Sequence, residues 1–361
     1  MSDVDILYDA IIKQKPMVSL QTVRPFQNLL EAVYKREPRL TGWLSGYEGK
    51  KSGSLIRTLE LSLTYREGIA QNINDVILDD KATWRPSSEL REPKNPPRLF
   101  HIVTKDAEAF ERRMEEENDT LSVICPGYAG YSWQMQEKPS ANGYSYALVE
   151  LKYIYDQPTY EMYWVQAERK MESICHRFFG NEKVHKLVKT FLAFSYIQQH
   201  CEYDDQAYEC IKRNELDKIQ RPWVVLPFGP IERNMGICCG IAYAMQMFLN
   251  YFKIPNRIIN GEIKDGDDVK AHAWNLVEFN GKYYHIDATT GVSGSEVYIG
   301  TFMKNDKEMQ QTHTWDAAKF PAAEGTRFNY DFIEEYIEEH ETEILDAGVE
   351  ENYLFPADIT E

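Results

Sequence analysis

The dipeptide Asn280-Gly281 constrains the fold of this chain more than any other feature. It separates two segments whose apolar residues alternate at period two, AHAWNLVEF (271–279) and KYYHIDAT (282–289). Asn-Gly between alternating segments is the strongest short-range signal for a β-hairpin with a two-residue turn. Such a turn also sets the register, so that Phe279 pairs with Lys282. The sequence therefore predicts an antiparallel hairpin in which every cross-strand neighbour can be counted.

The register of this hairpin brings one histidine close to one aspartate. His272 and Trp274 lie on one face of their strand, and Asp287 is expected on the same face of the partner strand. Diagonal neighbours across an antiparallel pair are roughly 7–8 Å apart at the backbone, within reach of an imidazole and a carboxylate. A carboxylate bonded to one ring nitrogen fixes the tautomer and stabilises the imidazolium. We expect His285 to point to the opposite face and to stay outside this pair.

The segments around the hairpin complete an α+β pattern. Residues 256–263 and 296–303 also alternate at period two, which predicts two further antiparallel strands. Apolar residues recur at helical spacing from Cys238 to Phe252, and Pro255 ends that helix. We therefore expect this helix to pack on the antiparallel sheet that contains the hairpin.

Two adjacent cysteines, Cys238 and Cys239, stand at the predicted start of the helix. They could be small core residues, a metal pair, or a nucleophile and its neighbour. None of the six cysteines forms a CxxC pair, which argues against zinc, and we expect no metal or cofactor. The dipole and the free N–H groups at a helix N-terminus favour a thiolate and can stabilise an oxyanion. Gly236 and Gly240 flank the pair and are expected to let a substrate approach the backbone.

Three segments in order resemble the core of the transglutaminase-like superfamily, which has a papain-like arrangement of catalytic residues. They are GICCGIA (236–242), HAWN (272–275) and the strand that ends in Asp287. The preceding HCEYD (200–204) also resembles the helix end that leads into this core, and the resemblance covers roughly residues 181–303.

The resemblance implies a role for each residue of a catalytic triad. Cys238 would be the nucleophile, His272 its base or ion-pair partner, and Asp287 the residue that orients His272. Cys239 falls at a variable position of the motif and is expected to be structural. The implied fold is a papain-like, transglutaminase-like α+β core.

The reaction that the resemblance implies is acyl transfer from an amide through an acyl-thioester. We expect a cysteine protease or amidase, because the β-domains and calcium sites of eukaryotic transglutaminases are not recognisable in this sequence. A protein-glutamine transglutaminase and a catalytically silent binding module of the same fold are the alternatives.

Further residues are candidates for lining the site. Trp223 and Asn234 lie upstream of the nucleophile, where a second oxyanion donor is expected in this fold. Trp274 is a candidate for contacting substrate or the oxyanion, because it shares a strand face with His272, and a core tryptophan is the equal alternative. His313 is a candidate for lining the cleft, but we expect it to be a surface residue.

Charge and composition limit the partners that this chain can have. The formal net charge is −17, which argues against binding to nucleic acid or to anionic membranes. No basic and apolar leader or long apolar run is visible, so we expect a cytoplasmic protein with reduced thiols. The expected partner is a peptide or protein substrate, and the sequence does not indicate an oligomeric state.

The chain is long enough for more than one domain. We expect an N-terminal α+β region at residues 1–158, a catalytic core at 159–325 and an acidic helix with a tail at 326–361. Within the first region, residues of about 20–83 and 99–158 each have a helix-like start followed by alternating strands, as in LELSLTY and LVELKYIY. A duplicated unit and a chance similarity between two ordinary α+β units remain open.

Overall fold

The computed structural model describes residues 2–52, 58–89, 95–136, 139–213, 215–266, 268–293, 296–356 and 359–360. Its helices are α1 (Asp3–Ile12), α2 (Phe26–Arg36), α3 (Ala107–Ile124), α4 (Gln157–Phe178), α5 (Lys186–His200), α6 (Asp205–Lys212), α7 (Phe228–Glu232), α8 (Cys238–Tyr251), α9 (Asp306–Met309), α10 (Tyr330–Asp346) and α11 (Glu351–Leu354). Its strands are β1 (Met17–Gln21), β2 (Leu44–Ser52), β3 (Thr58–Tyr65), β4 (Val76–Asp79), β5 (Leu99–Thr104), β6 (Tyr128–Met135), β7 (Ser145–Tyr153), β8 (Glu202–Tyr203), β9 (Met235–Gly236), β10 (Asn256–Asp265), β11 (Asp268–Phe279), β12 (Lys282–Ile286), β13 (Val297–Tyr298), β14 (His313–Trp315) and β15 (Ile359–Thr360). The chain is α+β, as predicted.

The chain packs as two compact units. Unit 1 comprises Met1–Glu92, Pro96–Leu121 and Tyr128–Tyr153, and unit 2 comprises Pro93–Asn95, Ser122–Gly127 and Ile154–Glu361. Residues 326–361, which the sequence sets apart as an acidic helix and tail, are part of unit 2. All six cysteines are free thiols. Among the described residues, every helix is too short or too polar to cross a lipid bilayer.

Unit 1 contains two small sheets with the strand orders β1-β3-β2 and β4-β5-β7-β6. In each sheet, a helix precedes an antiparallel pair: α2 precedes β2 and β3, and α3 precedes β6 and β7. Apolar residues that alternate along β3 are buried, as their period-two spacing predicts. A duplication of one unit stays a prediction, because a helix followed by a hairpin is also a common arrangement.

Unit 2 contains the predicted hairpin in a four-stranded sheet of order β12-β11-β10-β14. Asn280 and Gly281 have φ values of 49° and 74°, so both turn residues adopt the left-handed conformation that a tight hairpin turn requires. The register pairs Phe279 with Lys282 and Asn275 with Ile286, as counted from the turn. The hairpin and its register are therefore confirmed.

Helix α8 packs on one face of this sheet. The Asn275 side chain donates to the carbonyl of Ala242 at 3.0 Å, and Ala273 packs against Ala242 and Tyr243. Because side chains alternate along a strand, His272 and Trp274 lie on the other face of β11. The predicted helix bearing Cys238 therefore lies against the sheet as expected.

The predicted strand at residues 296–303 is wrong over most of its length. Only Val297 and Tyr298 are in a strand, and they pair in parallel with β15. Ile299, Phe302 and Met303 are buried in the main core of unit 2, so their apolar pattern reflects core packing and not a sheet ladder. The fourth strand of the sheet is instead β14, which pairs with β10.

Candidate active site

The hairpin brings His272 and Asp287 into direct contact. Nε2 of His272 lies 2.8 Å from Oδ2 of Asp287, and both side chains are buried. Asp287 follows β12 and caps a short 3₁₀ turn, in which its Oδ1 accepts the Thr289 N–H at 2.9 Å. The carboxylate is therefore held by the turn on one side and by the imidazole on the other. The remaining ring nitrogen of His272, Nδ1, is left for a second partner.

That second partner is the thiol of Cys238, the first residue of α8. The sulfur forms a hydrogen bond with the His272 side chain and accepts another from the Ala273 N–H. The pairing of β11 with β12 ends at Asn275. Ala273 lies beyond this last pair, so β12 does not cover the Ala273 backbone on that side of β11. Cys238 is only 7% exposed. The three residues predicted as a triad are thus brought together in the order Cys238, His272, Asp287.

The surroundings of the triad favour its charged form. Burial alone would raise the pKa of the Cys238 thiol, but the hydrogen bond and charge of His272 outweigh it, so the pKa is lowered. Burial alone would lower the pKa of His272, but the charge and hydrogen bond of Asp287, together with Cys238, raise it to about 10. Burial likewise opposes ionisation of Asp287, yet His272 and His313 hold its pKa well below its usual value. The pair is therefore poised as thiolate and imidazolium over an ionised carboxylate.

Tyr203 is a residue of this site that the sequence analysis did not identify. Its hydroxyl forms hydrogen bonds with both the sulfur and the backbone N–H of Cys238. Burial, followed by the charges of Cys238 and Cys239, raises the pKa of this phenol, so it stays a neutral donor. Strand β8, which carries Tyr203, pairs with β9 immediately before α8. The signal was present in the sequence, because Tyr203 belongs to the HCEYD segment next to the core motif.

Cys239 has a different environment from Cys238. Its sulfur lies 4.0 Å from the Val225 carbonyl and packs against apolar residues of the core. Burial, followed by the charge of Cys238, raises the pKa of the Cys239 thiol. The described contacts therefore favour a thiol at Cys239 and a thiolate at Cys238.

The two glycines beside the cysteines do not make room for a substrate, contrary to the expectation from the sequence. A Cβ on Gly240 would lie 2.0 Å from the Val224 carbonyl oxygen, and one on Gly236 would lie 2.7 Å from a ring carbon of Pro230. Both positions are filled by the protein itself. The glycines allow the start of α8 to pack against the preceding segment, which positions Cys238.

The family match agrees with this geometry. Residues 174–288 match the model described as the transglutaminase-like superfamily, and this range includes all three triad residues. Residues 174–288 form a transglutaminase-like core. A search of curated proteins found no significant match to the sequence.

The comparison with solved structures gave matches of low TM-score. A structure described as a TGase has a TM-score of 0.29 and 18% identity, over 70% of this chain and 68% of that one. A proposed cysteine protease from Cytophaga hutchinsonii has a TM-score of 0.26 and 14% identity, over 46% of this chain and 66% of that one. The arylamine N-acetyltransferase NAT3 of Bacillus cereus, described with a Cys-His-Glu triad, has a TM-score of 0.26 and 12% identity, over 36% of this chain and 51% of that one.

In the transglutaminase-like core, Trp274 is not available to an oxyanion. Its indole N–H donates to Nδ1 of His285 at 3.0 Å, and the side chain is fully buried. Its ring stacks near His272, with centroids 6.0 Å apart. Trp274 therefore packs beside the triad histidine with its indole N–H bonded to His285, and its predicted contact with substrate stays a prediction.

The prediction that His285 points to the opposite face from Asp287 is wrong. His285 precedes Asp287 by two residues, so alternation places both on the same strand face. Its Nδ1 accepts from Trp274, and its Nε2 lies 2.8 Å from Oδ1 of Asp306. His285 thus lies beside the triad but is bonded to Trp274 and Asp306.

The two candidate oxyanion donors upstream of the nucleophile, Trp223 and Asn234, have contacts elsewhere. Trp223 is in a short 3₁₀ turn and packs edge-on against Phe228, with ring centroids 6.4 Å apart. The Asn234 side chain is exposed, and its backbone carbonyl accepts the Glu202 N–H at 2.8 Å. The side chain from the segment upstream of α8 that is bonded to the Cys238 thiol is Tyr203.

His313 is buried with 0% exposure, so its prediction as a surface residue was wrong. Its Nε2 lies 3.2 Å from Oδ2 of Asp287. One ligand atom each of His272, Asp287 and His313 lie within 4.8 Å of one another, close enough for a metal ion. Both imidazole contacts to the carboxylate are, however, at hydrogen-bonding distance, and we assign them as hydrogen bonds.

Proposed function

We propose that this protein is a cysteine-dependent hydrolase that cleaves a peptide or amide bond through an acyl-thioester. The observation that carries the proposal is the position of His272, which contacts the Cys238 thiol and the Asp287 carboxylate through its ring. A nucleophile, a base and an orienting carboxylate in hydrogen-bonding contact are the arrangement that nucleophilic catalysis requires.

Acylation follows from the charged state of the pair. The Cys238 thiolate attacks the substrate carbonyl carbon, and negative charge develops on the carbonyl oxygen. We assign the Tyr203 O–H and the Cys238 N–H as donors to this oxyanion, because the Tyr203 hydroxyl donates to the sulfur and its oxygen accepts the Cys238 N–H. When the carbon–nitrogen bond breaks, the imidazolium of His272 gives its proton to the leaving amine.

Deacylation reverses the roles of the same residues. Neutral His272 accepts a proton from water, which attacks the thioester carbon. The carbon–sulfur bond breaks, the carboxylic acid product leaves, and the thiolate and imidazolium are restored. Asp287 stabilises the imidazolium in both steps but does not take a proton, because its pKa is held well below its usual value by His272 and His313 against the effect of burial.

The proposed partner is a peptide or protein, since these supply amide carbonyl groups. The net charge of −17 disfavours polyanionic partners such as nucleic acid. An amine that reached the thioester before water would turn the same chemistry into transglutamination.

The test uses the full chain and two small reagents. Iodoacetamide labelling across a pH series, mapped by mass spectrometry, compares Cys238 with the other five of the six cysteines. p-Nitrophenyl acetate then tests whether Cys238 is acylated, and a fluorescent amine tests whether the acyl group passes to amine or to water. Cys238→Ala and Cys239→Ala are the matched variants.

The proposal predicts that Cys238 is labelled fastest near neutral pH, acylated by the ester and deacylated mainly by water. Transfer of most of the acyl group to the amine would replace the hydrolase assignment with a transglutaminase. Labelling of Cys238 no faster than that of a free thiol would identify a catalytically silent binding module.

A further inference from the structure

His313 reaches the site from a strand outside the family match, which ends at residue 288. It lies on β14, opposite Ile263 of β10, while Gly261 of β10 lies between His272 and Trp315. A Cβ on Gly261 would lie 2.7 Å from the Trp274 ring. The absence of a side chain at this glycine lets the rings of β11 and β14 meet across β10. The His313 and Trp274 centroids are 4.9 Å apart as a result.

The Asp287 carboxylate consequently has two imidazole partners on one oxygen. Oδ2 contacts Nε2 of His272 at 2.8 Å and Nε2 of His313 at 3.2 Å. Oδ1 accepts the Thr289 N–H at 2.9 Å. An ionised carboxylate only accepts hydrogen bonds, so both imidazoles must donate from Nε2. The two histidines therefore share the charge of a single oxygen.

The tautomer of His313 is supported from its other side. Its Nδ1 lies 2.8 Å from the hydroxyl of Thr312. In the neutral ring with a proton on Nε2, Nδ1 is an acceptor, and the Thr312 hydroxyl can donate to it. Each polar atom of the buried His313 ring thus has a partner. The ring is held in place by Thr312, Asp287 and Trp274.

We propose that His313 is a positioning residue. The N–H of His313 fixes the Asp287 carboxylate and shares its negative charge. Asp287 can then orient His272 without binding the His272 proton too tightly. The inference rests on the proposed function, because it concerns the pair formed by Cys238 and His272. Without the second donor, the negative charge of Asp287 would act undiminished on both members of the pair. Protons would then be held more tightly, and both titrations would move to higher pH.

Other titratable and polar groups lie close to His313. His272 faces it at a centroid distance of 5.5 Å, and His285 interacts with it electrostatically. The neighbouring Thr314 is bonded to Glu262 at the surface. These groups remain unchanged in the two His313 variants below, so a difference between those two variants reports on the contact with Asp287.

The experiment compares two amides of different length. In His313→Gln, the amide nitrogen can occupy the place of the imidazole Nε2 and can donate to Asp287. In His313→Asn, the side chain is one methylene shorter and does not reach. His285→Gln is a control, because it changes a buried histidine that is bonded to Trp274 and Asp306. Melting temperature reports on the fold of each variant.

Two quantities are measured in each protein: the pH midpoint of iodoacetamide labelling at Cys238, and the midpoint of His272 from histidine ring ¹⁵N shifts. We expect both midpoints to rise in His313→Asn by on the order of one pH unit. We expect them to stay near the wild-type values in His313→Gln and His285→Gln. If His313→Asn does not fold, Thr312→Val at an exposed position releases the ring and should cause a smaller shift in the same direction.

Unchanged midpoints in a folded His313→Asn, or in Thr312→Val where the former does not fold, would overturn the positioning role even if the protein melts at a lower temperature. Equal shifts in His313→Gln and His313→Asn would also overturn it, because they would show that the amide donor does not matter. This failure is distinct from that of the proposed function, which is judged on wild-type labelling at Cys238.

Discussion

The Tyr203 hydroxyl forms hydrogen bonds with both the sulfur and the backbone N–H of Cys238. These two residues are brought together by the short pairing of β8 with β9, in which Tyr203 lies opposite Gly236. In the proposed mechanism, the hydroxyl therefore lies beside the attacking sulfur, from where it can donate to the carbonyl oxygen of the substrate. This position makes Tyr203 the first residue to test after the triad.

Tyr203→Phe should slow acylation of Cys238 by about 10²–10³-fold, because it removes one donor to the oxyanion. The rate of p-nitrophenol release measures this step. Iodoacetamide labelling is the control, since alkylation develops no oxyanion. At a pH where the thiolate is fully formed, labelling should be almost unchanged. A parallel loss of both rates would show that Tyr203 acts on the thiol and not on the oxyanion.

The two cysteines should differ sharply in reactivity. Cys238→Ala should abolish acylation by the ester, whereas Cys239→Ala should retain most of it. The physical reason is that His272 lowers the pKa of the Cys238 thiol against the effect of burial, while burial and the charge of Cys238 raise that of Cys239. Mass mapping of the acetylated peptide distinguishes the neighbours. Acetyl transfer to Cys239 in the wild type would contradict this assignment.

Asp287→Asn should make the imidazolium of His272 much less stable. Burial lowers the pKa of His272, and Asp287 with Cys238 reverses this and raises it to about 10, against an ordinary value of 6.5. A group with a raised pKa stabilises the fold fully below the unfolded-state value and loses that contribution as the pH rises through the folded-state value. In the wild type we therefore expect the ion pair to persist until about pH 10.

In Asp287→Asn, the His272 midpoint should fall well below 10, since burial is then opposed by Cys238 alone. Histidine ring ¹⁵N shifts across a pH series measure this midpoint directly. The labelling rate of Cys238 near neutral pH should fall with it. A His272 midpoint that stayed near 10 would mean that Asp287 is not the main source of the shift.

Gly240→Ala should disturb the start of α8. The new Cβ would lie 2.0 Å from the Val224 carbonyl oxygen, which is backbone and cannot swing aside. We expect a loss of about 1–3 kcal/mol in the free energy of unfolding, as for overpacking in a core, with slower acylation of Cys238. Gly46→Ala is the matched control, because nothing lies within 4 Å of its added Cβ. Denaturant unfolding of both variants measures the difference.

The sheet that carries the triad histidine was predictable because its information is local. Asn280-Gly281 sets the turn, and period-two alternation then decides which side chains share a face. Counting outward from the turn is sufficient to place His272 near Asp287. His285 precedes Asp287 by two residues, so the same alternation puts it on that face as well. The failure at residues 296–303 has the opposite cause, since there an alternating pattern arises from burial in the core.

The sequence alone determined the α+β class, the hairpin register, the helix that begins at Cys238 and the proximity of His272 to Asp287. These depend on turn chemistry and on periodicity, which act between near neighbours. Only the tertiary structure decided that Tyr203 meets Cys238, that His313 meets Asp287 and that Trp274 is bonded to His285. Such contacts depend on how separate elements pack, as when Gly261 lets two rings meet across a strand or Gly240 admits a carbonyl oxygen. Short strands such as β8 and β14 are too brief to leave a periodic signal, yet they bring Tyr203 and His313 to the site.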